Sequence, residues 1–196
     1  MVLCTGYVWA QDPGGYKDFH EGILPSKKDS VLEKIRQFPD GTELSIAVIH
    51  ERRPTFYGLK KEKDTIRAVP NFQSAFEIGS ITKVFTATLL ANFVEDGMVG
   101  LNEPINGYFG FVMGDSIPIT FKQLASHTSG LPPLPDNFLK WQKDFRDPYR
   151  EYGEEALKEY FIDAINLDEE DQNKYVYSNL GAGVLGFVLA TIGNQD

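Results

Sequence analysis

Ser80 and Lys83 stand three residues apart at the head of an apolar stretch, FEIGSITKVFTATLLANFVEDG (76–97). A serine hydroxyl attacks a carbonyl only when a base takes its proton. At the start of a helix its oxygen also lies in the positive end of the helix field, which favours a developing anion. A lysine at i+3 shares that face, about 5–6 Å away, and apolar neighbours weaken its hold on a proton. The same residues also read as a capping serine followed by a lysine whose stem lies along apolar surface. A second pair lies in YVYSNLG (175–181). Tyr177 and Asn179 project a phenol and an amide from one short turn. A phenol beside an ammonium ionises more easily and can serve as general base. The amide can bond both a lysine and a substrate carbonyl or amide. The alternative there is a helix-capping asparagine with a buried tyrosine.

The elements that position these four residues follow from periodicity. Apolar residues at 81, 84, 85, 88, 89, 93 and 94 predict a helix from about Ser80 to Gly97, with a stripe broad enough for deep burial. YSNLGAGVLGFVLATIG (177–193) predicts another apolar helix, and Gly181, Gly183 and Gly186 would let a neighbour approach its backbone. DSVLEKIRQF (29–38) is an amphipathic helix by its apolar positions 31, 32, 35 and 38, ended by PDG at 39–41. ELSIAVIHE (43–51) and PTFYGLK (54–60) predict an antiparallel hairpin, followed by a polar loop. LNEPI (101–105) is an extended link. ITFKQLASHTSGLP (119–132) predicts a short helix starting at Thr120 and closed by Gly130 and Pro132. Residues 132–153 form an irregular insert rich in Pro, Asp, Tyr and Trp. GEEALKEYFIDAI (153–165) predicts a helix with acids in its first turn. Two or three strands with about five helices give an α+β fold.

Composition narrows the function. The net charge is −9, from 28 acidic and 19 basic residues, so no basic face for nucleic acid is expected. RR at 52–53 and KKEK at 60–63 read as solvated edges. No window reaches the ~18 consecutive apolar residues of an integral membrane span. Cys4 is the only cysteine, which excludes an internal disulfide and a cysteine-rich zinc site. His20, His50 and His127 have no metal-ligand spacing, so neither a metal nor another cofactor is expected. Residues 1–10, apolar up to Ala10 and then abruptly polar, resemble the end of a secretory leader. They predict export to the periplasm or the exterior. The remaining stretch, 11–196, reads as one domain.

Three segments in order resemble the serine β-lactamase-like and penicillin-binding hydrolases, specifically their class C-like branch. FEIGSITKVFTATLLANFVEDGMVGLNEPI resembles that branch's nucleophile helix and the link after it. ITFKQLASHTSGLP resembles its His-Thr-Ser-Gly-Leu-Pro segment, and YVYSNLGAGVLGFVLATIG its Tyr-x-Asn helix. The resemblance runs through most of residues 27–193. It implies a sheet flanked by helices plus a helical region, and a covalent acyl-enzyme on Ser80. Lys83 would be the proton partner, Tyr177 the general base, and Asn179 the substrate-orienting amide. The backbone N–H of Ser80 would form half of an oxyanion hole. It also implies that His127 and Ser129, two residues apart in a turn, are structural rather than a nucleophile and its base. The implied substrates are β-lactams, D-alanyl peptides or small esters, and the rival from another class is a non-catalytic scaffold of the same fold. One motif of the family has no match: no Lys-Thr-Gly or His-x-Gly follows Tyr177. The chain is therefore expected to be the N-terminal part of the domain, without the third-motif strand and C-terminal helix.

Overall fold

The computed structural model describes residues 27–113, 118–165, 167 and 170–193. The expected leader remnant at 1–10, with Cys4, and His20 lie outside the described residues. The chain divides into two compact units, 1–77 and 78–196.

In the first unit, helix α1 (Lys28–Arg36) precedes three strands, β1 (Glu43–His50), β2 (Arg53–Glu62) and β3 (Thr65–Ala68). The sheet is antiparallel in the order β1-β2-β3. Apolar positions one turn apart on α1 meet apolar strand positions. Ile35, Tyr57 and Leu59 are buried, with Val31, Leu32, Leu44, Ile46 and Ile66 packed against them. The register runs from Glu43 opposite Lys60 to His50 opposite Arg53. That leaves Glu51 and Arg52 as a two-residue turn, with φ of 49° and 64°. Such a turn matches strand twist but usually recruits glycine or asparagine. Gly58 is required for another reason: a Cβ there would collide with the Val69 carbonyl and the Asn71 amide. The hairpin is as expected. β3 corrects the polar-loop expectation, because Thr65–Ala68 pairs with Leu59–Glu62.

The second unit opens with a 3-10 turn, Gly79–Ile81, leading into α2 (Thr82–Glu95). A 3-10 turn at Ile105–Tyr108 is followed by α3 (Phe121–Ala125), α4 (Phe138–Trp141) and α5 (Glu154–Glu159). A π-helical turn at Tyr160–Ala164 extends α5, and α6 (Asn179–Ile192) ends the unit. The core gathers around α6. Leu180, Val184, Leu185, Val188 and Leu189 are buried with Phe121 and Leu124 of α3, Leu157 of α5 and Phe161. α3 starts as the sequence predicts. The Thr120 side chain accepts a hydrogen bond from the Gln123 N–H, and the Thr120 N–H donates to Gln123 Oε1, a capping box. α3 then stops at Ala125, short of the expected Gly130.

Two expectations are corrected here. The stripe on α2 is not deeply buried: Ile81, Val84, Phe85 and Leu89 are exposed, and the one buried residue of the helix, Leu90, lies outside the stripe. The helix is apolar around most of its circumference, so periodicity does not select the packed face. Of the three α6 glycines, only Gly181 has neighbours against a Cβ, namely Ser178 and Leu124. Gly183 and Gly186 face open space.

Candidate active site

Ser80 owes its place to a bend. Gly79 has φ +52°, a left-handed conformation that strains any residue with a Cβ. The chain turns there into the 3-10 turn, and the α-helix begins two residues after Ser80. Neither N-cap position, Ile78 or Ile81, makes a side-chain cap. Ser80 is thus not the capping residue of the alternative reading. Its hydroxyl meets Lys83, whose Nζ donates to Ser80 Oγ at 3.2 Å.

The opposite wall is the strand-like segment that ends at α6. Ser178, not Asn179, caps this helix: its Oγ accepts from the Gly181 N–H at 2.8 Å and donates to the Pro132 carbonyl at 2.6 Å. Ser178 is buried and Asn179 is the first helical residue, its N–H donating to the Pro133 carbonyl at 3.1 Å. His127 holds the other side of the segment. Its carbonyl accepts the Val176 N–H at 2.9 Å, and its Nδ1 accepts the Ser178 N–H at 3.2 Å. Its ring lies 4.7 Å from the Tyr177 ring. His127 itself sits at φ +58°, uncommon for a residue with a side chain. The backbone is therefore gripped on both sides of Tyr177.

These two walls bring the four side chains together. The Tyr177 hydroxyl donates to Ser80 Oγ at 2.8 Å. Lys83 Nζ donates to Asn179 Oδ1 at 2.7 Å and lies 5.0 Å from the centre of the Tyr177 ring. Ser80 Oγ thus has a phenol and an ammonium within proton-transfer distance, and the ammonium is anchored by an amide. Tyr177 is 40% exposed, so it is not the buried tyrosine of the alternative reading and solvent or a ligand can reach the cluster. Hydrogen bonding to Lys83 and then to Ser80 holds the Tyr177 phenol below its ordinary value of 10.0. His127 is likewise lowered, by burial and by the nearby Lys83 charge. A neutral imidazole is the form its hydrogen bond needs, because Nδ1 must accept.

All four residues singled out in the sequence converge. His127 and Ser129 do not pair with each other: Ser129 is buried and its Oγ accepts from the Leu131 N–H at 3.3 Å. The gripping roles of Ser178 and His127 were not read from the sequence. Ser178 carried a signal, a serine directly before an apolar helix. His127 carried only its place in the His-Thr-Ser-Gly-Leu-Pro segment, which does not name a partner 51 residues away. Among the described residues, no three His, Cys, Asp or Glu side chains gather as metal ligands, and no helix is long and apolar enough to cross a membrane.

A sequence model described as Beta-lactamase matches residues 31–196. A beta-lactamase of Pseudomonas fluorescens is 34% identical over 109 residues, which cover 54% of this chain and 30% of the relative. The D-alanyl-D-alanine-carboxypeptidase/endopeptidase AmpH of Escherichia coli strain K12 is 28% identical over 198 aligned residues, 96% of this chain and 49% of the relative. A solved class C beta lactamase shares the fold with a TM-score of 0.60 at 22% identity, covering 90% of this chain and 48% of that chain. The chain spans less than half the length of each.

Proposed function

This chain belongs to the beta-lactamase family, and from that premise we propose that it is a serine hydrolase working through an acyl-enzyme on Ser80. The observation that carries the reading is the meeting of Tyr177, Ser80, Lys83 and Asn179 through contacts of 2.7–3.2 Å. The Tyr177 phenolate, favoured by the Lys83 cation, takes the Ser80 proton. Ser80 Oγ then bonds to the carbonyl carbon. The substrate's C–N or C–O bond breaks, and its leaving group takes the proton from Tyr177. Water next adds to the ester, giving its proton to Tyr177; the bond from Ser80 Oγ to the acyl carbon breaks, Tyr177 returns the proton to Oγ, and the acid leaves with Ser80 restored. Asn179 fixes Lys83 through Oδ1 and offers its amide N–H groups to the substrate. The Ser80 backbone N–H supplies one donor for the oxyanion at the head of α2. The chemistry uses the chain's own side chains and backbone and invokes no cofactor.

The substrate is a small molecule or peptide: a β-lactam, a D-alanyl peptide or a small ester. Its similarity to beta-lactamases and to a D-alanyl-D-alanine-carboxypeptidase supports that range. The reading also takes residues 11–196 as the N-terminal part of a larger domain acting outside the cytoplasm. The open apolar face of α2 and the partial span of the relatives support the larger domain. The test uses the intact protein. A fluorescent penicillin and a fluorophosphonate label it, and mass spectrometry places the adduct on Ser80. Ser80→Ala abolishes labelling. Labelling that persists in Ser80→Ala removes Ser80 as nucleophile, and no labelling by either probe favours a non-catalytic scaffold of the same fold. Turnover of a chromogenic cephalosporin, a p-nitrophenyl ester and a D-Ala-D-Ala peptide then selects the substrate.

A further inference from the structure

A cavity of about 360 Å³ lies along one face of α6. Asn179, Gly183 and Phe187 line it at successive i+4 positions, so the face that begins at the Lys83 contact continues into the cavity. The opposite wall comes from the 132–153 insert and α5, through Leu134, Phe138, Tyr149, Tyr152 and Leu157. That wall is built rather than loose. Tyr152 donates to Asn137 Oδ1 at 2.8 Å, and the Asn137 amide donates to the Ala156 carbonyl at 2.9 Å. Lys140 of α4 pairs with Glu159 of α5 at 2.6 Å. Burial holds the Tyr152 phenol protonated, well above the usual range, in keeping with an apolar surround.

Gly183 is the informative residue. Glycine in mid-helix is less favourable than alanine, yet a Cβ at Gly183 would meet nothing within 4 Å. No packing contact requires the glycine, and the space it leaves belongs to the cavity. The lining is mainly aromatic and aliphatic, with one carboxyl side chain, Glu154, and no basic one. A pocket of roughly 300–1,000 Å³ with such walls takes an apolar group, and an anionic tail would find no cation there.

We propose that this cavity binds the acyl side of the substrate, and that the substrate's acyl group is uncharged and apolar, aromatic or a short alkyl chain. This rests on Ser80 being the nucleophile, with Asn179 as the junction between reacting carbonyl and pocket.

The test uses the intact protein and p-nitrophenyl esters of acetate, butyrate, hexanoate, hydrocinnamate and hemisuccinate. The expected kcat/KM rises about three- to fourfold per added methylene, as one buried methylene contributes, and hydrocinnamate outruns hemisuccinate. Gly183→Leu, and Gly183→Ala to a smaller degree, reduce the hexanoate-to-acetate ratio by roughly tenfold or more for the leucine, the worth of about two lost methylenes. Gly186→Leu, with equally open space but no place in the cavity lining, leaves the ratio unchanged. A flat series with Ser80 labelling intact overturns the pocket and leaves the nucleophile standing. A second arm is independent of chemistry: Ser80→Ala binds the neutral fluorophore N-phenyl-1-naphthylamine, with binding lost on adding Gly183→Leu and kept on adding Gly186→Leu. Binding insensitive to Gly183→Leu overturns the cavity as an apolar site, even if no ester is turned over.

Discussion

Helices α2 and α6 each run for 14 residues and are apolar along most of their sequence. Their surroundings differ sharply. α6 buries Leu180, Val184, Leu185, Val188 and Leu189, whereas α2 buries Leu90 and leaves Phe85 65% exposed. The two meet near their N-terminal ends, where Lys83 donates to Asn179. One helix is scaffold that carries the Asn179 amide on its first residue. The other is mounted on that scaffold and follows the turn that holds Ser80. Apolar content therefore does not tell which helix makes the core. The tertiary partners do: α6 lies against α3 and the Ile105–Tyr108 turn as well as α2.

The sharpest way to break this division of labour is at α2's chemistry. Lys83→Arg keeps the positive charge but cannot readily give up a proton and has a different shape. It is expected to reduce acylation of Ser80 roughly a hundred- to ten-thousandfold, the scale of a lost proton-transfer group, with the melting temperature little changed. Stopped-flow labelling reads this, and near-normal acylation would make Lys83 a positive charge and nothing more. The division of burial is tested by one matched pair. Leu189 is 0% exposed on α6 and Leu89 is 42% exposed on α2. In chemical denaturation of the 196-residue chain Leu189→Ala should cost about 2–5 kcal/mol, and Leu89→Ala should stay within about 0.5 kcal/mol. Equal costs in this chain would mean that α2 is packed as closely as α6.

The smallest effect is a titration. Hydrogen bonding to Lys83 and Ser80 lowers the Tyr177 phenol, so its phenolate forms at lower pH than in the unfolded chain. Acylation should therefore rise with pH and reach its half-maximum below the ordinary phenol value of 10.0. Ultraviolet difference titration of the protein against Tyr177→Phe isolates this one phenol. In a Lys83→Met background its midpoint should move upward. An unmoved midpoint would separate Lys83 from the ionisation of Tyr177.

Much of this was legible in the sequence because the signals are local. Ser80 with Lys83, and Tyr177 with Asn179, each occupy one turn, and Thr120 with Gln123 caps α3 within three residues. What escaped was set by distant partners. The short strand Thr65–Ala68 has little pattern of its own and is defined by its ladder to β2. The exposed stripe of α2 depends on what lies beside it, and the open face of Gly183 depends on the cavity between α6 and the insert. His127 was expected to be structural, but the backbone N–H that its acceptor nitrogen takes lies 51 residues away.

The separation of the two walls along the chain has a consequence for biosynthesis. Ser80 precedes Tyr177 by 97 residues. At roughly 5–20 residues per second, Ser80 is made about 5–20 s before Tyr177. During that interval the serine is an ordinary alcohol, poorly reactive toward any carbonyl it meets. On the proposed mechanism, reactivity switches on only when Ser178 and His127 seat the later segment, so the order of synthesis would guard the nascent chain against premature acylation.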